Sequence, residues 1–460
     1  MMKILLTVPV TSFVSDPPNF PDLGLGYIAA SLKNKGHEAH VRDWNMDPSH
    51  EKFKVWLMEN RPEVIGIKVF TKDVAATQKT ITIIRETLRG TTIVIGGPHP
   101  SASEPTDLMN DFVDCDFAIR GEAEESFPFL LSEIKNTGLK DAKPEKERYK
   151  NIPGLVWRKG GDVFSNPISL CHNLDNIDFP CWEMINPKDY FFDMLGSTLK
   201  EGYISPIITT RGCPGKCCFC CVHKISGRKI RYRSPSNVLK EMSLLYNKYN
   251  VKKFMFMDNC FTSHKENLIK ICEDILKEKM IIEWDFVSYE KLDNLTDATL
   301  SLMYRSGCRM IHLGIESGSE KTRKVMNKST SLKEITEKVK VIKDNGIKVG
   351  AFFMIGFPEE TIKEIRETTN YAFSLDVDLL KFTICFPLPG TQNYDYIKEK
   401  YKFSIINWAS FNIKDSPYPV SQLSSKELNR MLNVISLRLC LLNARKIVIR
   451  KIMKAVRIFK

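Results

Sequence analysis

The sequence contains no apolar run close to the roughly 20 residues that a membrane-spanning helix needs. Its first ten residues, MMKILLTVPV, are followed by Ser15-Asp16-Pro17-Pro18, where a secretion signal would have a small-residue cleavage site. No Walker sequence occurs, and Val8-Pro9-Val10-Thr11 follows the first predicted strand in place of Gly-x-Gly-x-x-Gly. We therefore expect a cytoplasmic protein that does not bind a dinucleotide in the ordinary way.

Acidic residues are missing from residues 428–460, which contain nine Lys and Arg side chains. The formal net charge is +12, so the rest of the chain carries only about +3, too little for a nucleic-acid channel. As a helix this segment has an apolar stripe beside a cationic face. It predicts either peripheral contact with an anionic membrane or a helix that caps a domain.

The length and composition indicate a folded protein with at least two domains. The chain has 460 residues, of which 43% are hydrophobic and 27% are charged. Thirteen cysteines are present, five of them between Cys213 and Cys221, where neighbouring thiols are too close for all to pair as disulfides. This cysteine usage is typical of a reducing compartment.

The first part of the chain alternates short β-branched runs with helical patterns, which predicts a doubly wound, Rossmann-like parallel sheet over residues 1–140. Its ligand should lie at the carboxyl ends of the strands. Residues 141–202, rich first in charged residues and then in proline, predict a linker. The predicted strands are Lys3–Val8, Glu38–Arg42, Glu63–Val69, Thr92–Ile95 and Asp116–Ile119.

The alternation resumes over residues 203–395, where six strand–helix units predict a partial (β/α)6 barrel of the TIM type with its chemistry at the carboxyl rim. Residues 396–460 become irregular and then helical, which predicts a C-terminal helical tail. The six predicted strands are Ile204–Thr209, Lys253–Met257, Glu283–Val287, Met310–Ile315, Lys348–Met354 and Leu380–Cys385.

A cysteine motif follows the first predicted barrel strand. Cys213, Cys217 and Cys220 have the spacing Cys-x3-Cys-x2-Cys, and three thiolates on one loop can hold three irons of a cubane cluster while leaving the fourth iron open. A zinc site that recruits Cys218, Cys221 or His223 is the alternative. We expect Cys218 and Cys221 not to be ligands, and the cysteines outside this loop to be small apolar packing residues.

With this motif the chain resembles the radical S-adenosylmethionine (SAM) enzymes. The resemblance continues through Met257-Asp258-Asn259, Gly314-Ile315-Glu316-Ser317-Gly318, Gly356-Phe357-Pro358-Glu359-Glu360 and Phe386-Pro387-Leu388-Pro389-Gly390-Thr391, each after a predicted strand. It implies that Cys213, Cys217 and Cys220 ligate a four-iron, four-sulfur cluster whose open iron binds SAM. The implied SAM-binding residues are Phe219, Asp258, Asn259, Glu316, Ser317, Gly356 and Pro387.

The amino-terminal segments Pro21–Tyr27, Val94–Pro100 and Arg120–Glu124 resemble the cobalamin-binding domain that is fused to many radical SAM enzymes. The Asp-x-His-x-x-Gly motif of free-standing cobalamin domains is missing. Either cobalamin binds without a protein histidine on cobalt, which we favour, or the domain has lost the cofactor. The implied cobalamin-binding residues are Thr11, Leu23, Thr71, Lys72, Val74, Gly96, Gly97, His99, Gly121 and Glu122.

The resemblance implies a cobalamin-dependent radical SAM methyltransferase. In such enzymes one electron cleaves SAM to a 5′-deoxyadenosyl radical, which abstracts hydrogen from an unreactive carbon before methylcobalamin supplies the methyl group. The partners implied are a small-molecule substrate, such as a lipid or natural-product intermediate, and an external flavodoxin- or ferredoxin-like electron donor. The alternatives are a radical cyclase, oxidative or carbon–carbon bond-forming enzyme, and a non-catalytic corrinoid- or zinc-binding module. Tyr190, Phe191 and Phe192 are a candidate substrate wall.

Overall fold

The computed structural model describes residues 1–11, 20–135, 145–190, 194, 196–288, 292–402 and 421–458. Within these residues the chain forms two α/β units, whose sheets are separate and contact each other through the loops at the carboxyl ends of their strands. The first unit is built on a sheet of seven strands and the second on a sheet of six, as the sequence predicts in outline.

The first sheet has the order β2-β1-β3-β4-β5-β6-β7, and its first five strands are parallel. This 2-1-3-4-5 arrangement is that of a doubly wound fold whose strand order reverses between β1 and β3. The strands are β1 Lys3–Thr7, β2 Glu38–Arg42, β3 Val64–Lys68, β4 Thr92–Gly96, β5 Phe117–Ile119, β6 Leu155–Lys159 and β7 Asp162–Ser165.

Helices cover both faces of this sheet, which explains why its strands are apolar on both sides. On one face α2, α3 and α5 pack through Phe53, Ile81 and Leu108. On the other face α1 and α6 pack through Leu32 and Leu130. The helices are α1 Leu23–Asn34, α2 His50–Asn60, α3 Val74–Thr87, α4 Pro98–Ala102, α5 Pro105–Asp111, α6 Ser126–Lys135 and α7 Glu145–Tyr149.

The predicted linker over residues 141–202 is wrong for its middle part. Strands β6 and β7 form an antiparallel hairpin that extends the first sheet from β5. Further along, Trp182 and Ile185 pack with Leu23 and Tyr27 of α1 against the core of the second unit. A Cβ on Gly26 would lie 2.4 Å from Ile185 Cδ1 and 2.9 Å from Pro180 Cβ, so glycine lets α1 approach this segment closely. The segment thus completes one sheet and fills the space between the two units.

The second sheet is wholly parallel, with the order β15-β14-β13-β12-β11-β8, so strands that follow one another in this list are also successive barrel units of the chain. This confirms the predicted partial barrel. A two-residue ladder, β9 with β10, lies beside the first strand. The strands are β8 Tyr203–Ile207, β9 Thr210–Arg211, β10 Arg231–Tyr232, β11 Val251–Phe256, β12 Glu283–Ser288, β13 Cys308–Glu316, β14 Lys348–Ile355 and β15 Leu379–Ile384.

Alternate residues of these strands face the surrounding helices or the barrel interior. Phe254, Phe256 and Trp284 belong to the core that the helices cover. Met255 and Asp285 therefore lie on the interior face. The helices are α8 Val222–Ser226, α9 Pro235–Tyr249, α10 Lys265–Lys277, α11 Asp297–Arg305, α12 Glu320–Val325, α13 Leu332–Asp344, α14 Ile362–Ser374, α15 Gln392–Tyr401 and α16 Ser425–Ile458.

The tail helix α16 begins on the barrel. Leu428 and Ile435 are buried in the barrel core, and the Arg438 guanidinium lies 4.0 Å from the ring centre of Phe373. In the described part of the chain, no helix is long and apolar enough to cross a membrane. The first turns of α16 therefore cap the barrel, which is one of the two interpretations of the basic tail.

Candidate functional site

The cysteine motif lies in the loop between β9 and α8, at the carboxyl end of the first barrel strand. Cys213, Cys217 and Cys220 form no disulfide bond and are partly exposed. The loop is curled by backbone hydrogen bonds from Cys220 N to Cys217 O (3.2 Å) and from Cys213 N to Gly227 O (3.1 Å). The three sulfur ligands that the sequence predicts are thus carried by one short, internally bonded loop.

Gly212 fixes the entry to this loop. Its φ is +94°, and a Cβ would lie 2.2 Å from the carbonyl oxygen of Lys229. Only glycine adopts this backbone at such a distance from another main chain without strain. Gly212 therefore lets the start of the cysteine loop pack closely against the main chain of Lys229, just before β10.

Cys218 has a different environment from its neighbours. It is buried, its backbone N–H donates to Met326 O (3.4 Å), and its thiol donates to Val325 O (3.3 Å). It therefore packs the loop against the end of α12.

Burial raises the pKa of the Cys221 thiol to about 11. Among the described residues, no three His, Cys, Asp or Glu side chains are grouped to hold a single metal ion.

The cysteines outside the loop are only partly as predicted. Five of them are buried packing residues, but Cys171 and Cys260 are half-buried and Cys440 is exposed on α16. The expectation of apolar packing is therefore wrong for Cys440. The buried ones are Cys115, Cys181, Cys272, Cys308 and Cys385.

Asp258 follows β11 and is buried at the rim. Its Oδ1 accepts hydrogen bonds from the backbone N–H groups of Thr209 (2.8 Å) and Thr210, while its Oδ2 has no partner. Burial raises the pKa of this carboxyl to about 6. Because a buried acceptor without a partner is costly, Oδ2 is suited to a ligand donor. Asn259 lies next to it and is half-exposed.

Glu316 ends β13 with a positive φ of +70° and is buried. Its Oε1 lies 4.0 Å from Lys328 Nζ, which is itself 5.9 Å from the ring centre of Phe219. Burial raises the pKa of Glu316, and Lys328 opposes that rise. Burial also raises the pKa of Cys220, with Cys213 and Glu316 adding to it. The cysteine loop and Glu316 therefore share one site. Lys328 was not predicted as a site residue, because no recognisable motif surrounds it in the sequence.

Ser317 follows Glu316 but points elsewhere. Its buried hydroxyl lies 2.9 Å from the Thr368 hydroxyl on α14 and accepts from Ser319 N at 3.1 Å. These bonds hold the loop against α14. A contact between Ser317 and SAM stays a prediction, and this hydroxyl already has protein partners.

Gly356 and Pro387 lie on the loops after β14 and β15, and Pro387 is buried. Gly356 has a φ of +81°, and a Cβ there would lie 2.7 Å from Leu428 Cδ1 of the tail helix. Its N–H donates to Glu360 Oε2 (2.7 Å), whose other oxygen is buried without a partner. Burial raises the pKa of Glu360 to about 7. Glu360 was not predicted as a site residue, because an acidic residue just before the start of a helix is common.

On the first sheet, Gly96 and Gly97 lie at the carboxyl end of β4. A Cβ on Gly96 would meet only Ile119 O, at 3.5 Å, and Gly97 has a φ of +98°. The backbone here is open to a close approach by a ligand. His99 is fully buried, and its ring nitrogens lie 3.3 Å from the Thr71 hydroxyl and 3.4 Å from that of Ser103. Burial lowers the pKa of His99 to about 3. Its imidazole therefore faces the protein.

The other residues predicted to bind cobalamin are not all brought together. Leu23 is buried in the core of the second unit and Val74 in the core of the first, so both are packing residues. Lys72 is exposed and bonded to Asp73 (3.1 Å). The hydroxyl of Thr11 donates to Asn45 Oδ1 (2.8 Å), just before residues 12–19, which lie outside the described part.

Of the candidate substrate wall, Tyr190 is buried, and residues 191 and 192 lie outside the described part.

Gly121 and Glu122 follow β5, and Glu122 serves the domain interface. Its carboxylate accepts from both terminal nitrogens of Arg231 (2.8 and 2.7 Å) and lies 3.4 Å from Arg211. Arg211 also pairs with Glu124 at 2.6 Å. Burial alone would raise the pKa of Glu122, but Arg231 and Arg211 hold it below its usual value. We call Arg211, Arg231, Glu122 and Glu124 the interface ion network. A direct cobalamin contact of the Glu122 carboxylate is not favoured by these partners.

The network joins the carboxyl edges of the two sheets. Arg211 lies two residues before Cys213, whereas Glu122 and Glu124 follow β5 of the first sheet. A second contact lies nearby: a Cβ on Gly390, after β15, would lie 2.6 Å from Ala102 O of α4. The loop that carries the cysteines therefore meets the edge that carries Gly96 and Gly97.

Two family models match this chain. The Radical SAM superfamily model matches residues 207–372, and the B12 binding domain model matches residues 13–131. The B12 match spans β2 to β5 of the first sheet, and the radical SAM match spans the cysteine loop and β11 to β14 of the second sheet.

Named relatives cover most of the chain. An uncharacterized methyltransferase of Pyrococcus horikoshii is 27% identical over 94% of this chain and 91% of its own length. An anaerobic magnesium-protoporphyrin IX monomethyl ester cyclase of Cereibacter sphaeroides is 25% identical over 86% of this chain and 63% of its own length. The fold is also that of the radical SAM methyltransferase TsrM of Kitasatospora setae, with a TM-score of 0.68 at 17% identity, over 87% of this chain and 78% of that one.

The chain therefore belongs to the radical SAM enzymes that carry an amino-terminal B12-binding domain. Its cofactors are a four-iron, four-sulfur cluster, SAM and cobalamin. The residues fit these groups: three cysteines outside any disulfide share one loop, Asp258 Oδ2 is a buried acceptor without a partner, and the backbone at Gly96 is open.

Gly212→Ala is expected to reduce cluster assembly, because the new Cβ cannot coexist with the Lys229 carbonyl and the cysteine loop must shift. Iron and sulfide per chain after anaerobic reconstitution should fall by more than half. Gly90→Ala is the matched control, since a Cβ at Gly90 meets nothing within 4 Å. Equal iron content in both variants would contradict the role of Gly212.

Glu122→Gln is expected to lower the free energy of unfolding by about 3 kcal/mol, because it leaves two buried guanidinium groups without full compensation. Denaturant titration followed by tryptophan fluorescence measures this loss. Glu125→Gln, an exposed neighbour, is the matched control and should change stability by less than about 0.5 kcal/mol. Equal stabilities of the two variants would argue against the network.

Proposed function

We propose that this protein is a cobalamin-dependent radical SAM methyltransferase that acts on an unreactive carbon of a small organic molecule. The observation that carries the proposal is the meeting of the two carboxyl edges through the interface ion network. A methyl donor on the first sheet and a cluster on the second would then face one substrate position. When bound, the cluster supplies one electron to SAM, and cobalamin supplies the methyl group.

The proposed ligands of the cluster are Cys213, Cys217 and Cys220. Cys218 is excluded from this set because its thiol and backbone are used to pack the loop on α12. Lys328 lies between Phe219 and Glu316, and its positive charge favours the thiolate form of Cys220. This chain's residues thus hold the loop and adjust its charge.

The proposed SAM-binding carboxylates are Asp258 and Glu316. Asp258 is fixed through Oδ1 and offers Oδ2 to an ammonium or a ribose hydroxyl. Glu316 has Lys328 as its ionic partner on one side. The packed phenylalanines and tryptophan behind the strands hold the rim in place.

A second candidate is a radical cyclase that uses the same groups without transferring a methyl group. The similarity to a relative named as a cyclase over 86% of this chain favours it. The longer alignment with a relative named as a methyltransferase, over 91% of that protein, favours methyl transfer.

The assay that tests the proposal is anaerobic. Protein reconstituted with iron, sulfide and hydroxocobalamin is given SAM and dithionite, and 5′-deoxyadenosine and S-adenosylhomocysteine are measured by mass spectrometry. We expect both products, and we expect Cys217→Ala to lower both at least a hundredfold. Cys440→Ala, which changes an exposed cysteine on α16, should leave them unchanged. Formation of 5′-deoxyadenosine alone would favour the cyclase. The absence of both products would exclude the methyltransferase and the cyclase reactions alike.

Further partners in this proposal are a small-molecule substrate, an external one-electron carrier and a membrane surface. For the membrane, the support is an exposed stripe on α16: Val434, Leu437 and Leu441 are each more than 60% exposed and share one helix face. The nine basic residues of 428–460, with no acidic residue, suit an anionic lipid surface. The protein would then lie on the membrane by its tail.

The membrane contact predicts that the protein sediments with vesicles containing phosphatidylglycerol and not with pure phosphatidylcholine vesicles. Leu437→Glu with Leu441→Glu should reduce the bound fraction at least fivefold, because the apolar stripe becomes charged. Val113→Glu with Ile281→Glu changes two equally exposed residues outside the tail and is the matched control. Equal sedimentation of both variants would exclude this role of α16.

A further inference from the structure

A cationic cleft opens on the outer side of the cysteine loop. Its volume is about 520 Å³, and it is lined by Lys216, Arg228, Lys324, Asn327, Lys328, Ser329 and Gln392. Four of these residues are basic, and no Asp or Glu lines the cleft. Lys328 is only 6% exposed and is paired with Glu316, so the exposed cations of the cleft are Lys216, Arg228 and Lys324. We refer to it as the loop cleft. Such a concentration of one charge at one place attracts an anionic partner.

The loop cleft is built directly on the cysteine loop. Asn327 Nδ2 donates to Lys216 O (3.1 Å), and Arg228 Nη1 donates to Gly215 O (2.7 Å). Lys216 and Gly215 lie between Cys213 and Cys217. The floor of the cleft is therefore the main chain that separates two of the proposed cluster ligands, so a molecule seated there lies close to the thiols.

The rim of the loop cleft has the character of a transient protein interface. Lys216 and Lys324 are exposed, and neither has an acidic partner among the described residues. Val325, beside Lys324, is 55% exposed and supplies an apolar contact next to the charges. Complexes of electron-transfer proteins are small and weak and are steered by complementary charge.

We propose that the loop cleft is the docking surface for an acidic one-electron carrier protein, which gives one electron to the cluster held by the cysteine loop. The proposal rests on the proposed function, because reductive cleavage of SAM consumes one electron for each SAM. The carrier is oxidised by one electron and the cluster is reduced by one. A carboxylate-rich face around the carrier's redox group would pair with Lys216, Arg228 and Lys324.

The test measures binding before it measures turnover. Fluorescently labelled flavodoxin, an acidic carrier, is titrated with the holoenzyme at low ionic strength, and the Kd is obtained from anisotropy. Lys324→Glu with Ser329→Glu should weaken binding at least tenfold, and added salt should shrink that difference. Lys340→Glu with Ser301→Glu, on α13 and α11, makes the same charge change on exposed residues elsewhere and should leave the Kd unchanged.

A second measurement separates docking from chemistry. With dithionite as a small reductant, the Lys324/Ser329 variant should form 5′-deoxyadenosine as fast as the unaltered protein, whereas flavodoxin-driven formation should fall at least tenfold. An unchanged Kd, equal weakening by the control variant, or equal binding of basic cytochrome c would overturn the docking proposal. Absence of 5′-deoxyadenosine with dithionite in the unaltered protein would instead refute the proposed function, while the binding result stands.

Discussion

The arrangement of this enzyme depends on four charged side chains that lie between its two sheets and are at most 15% exposed. Arg211 and Arg231 come from the ladder around the cysteine loop, and Glu122 and Glu124 come from the end of β5. Removing such groups from water is costly unless each charge is paired and hydrogen-bonded, and here each one is. The two carboxyl edges can therefore meet in one orientation, and a displaced edge would leave a charge buried alone.

The same constraint explains why the remaining functional residues gather in one place. Loops after parallel strands all emerge at one edge of their sheet, so Asp258, Glu316 and the cysteine loop reach a common rim although the sequence separates them widely. When the rim of the second sheet is held against the edge of the first, Gly96 and Gly97 lie opposite it. The outer side of the cysteine loop remains exposed as the loop cleft.

The parallel strands of both sheets were predicted to within about two residues, because each is a short β-branched or aromatic run between turn residues. The hairpin of β6 and β7 was missed. Its sequence carries Arg158, Lys159 and two glycines, and an antiparallel edge pair that is partly solvated does not show the apolar run of a buried parallel strand. The ionic partners of Glu122 were not predicted for a related reason, since its motif identified the loop but not the direction of its side chain.

The sequence by itself determined the two α/β units, the cysteine loop and the family, because strand periodicity and motif spacing are local properties of the chain. Only the tertiary structure decided which charges meet. Lys328 stands beside Glu316 and Phe219, and Arg231 beside Glu122, through contacts between residues up to 109 positions apart. Such pairs leave no local pattern, because burial and the packing of one sheet edge on the other bring them together.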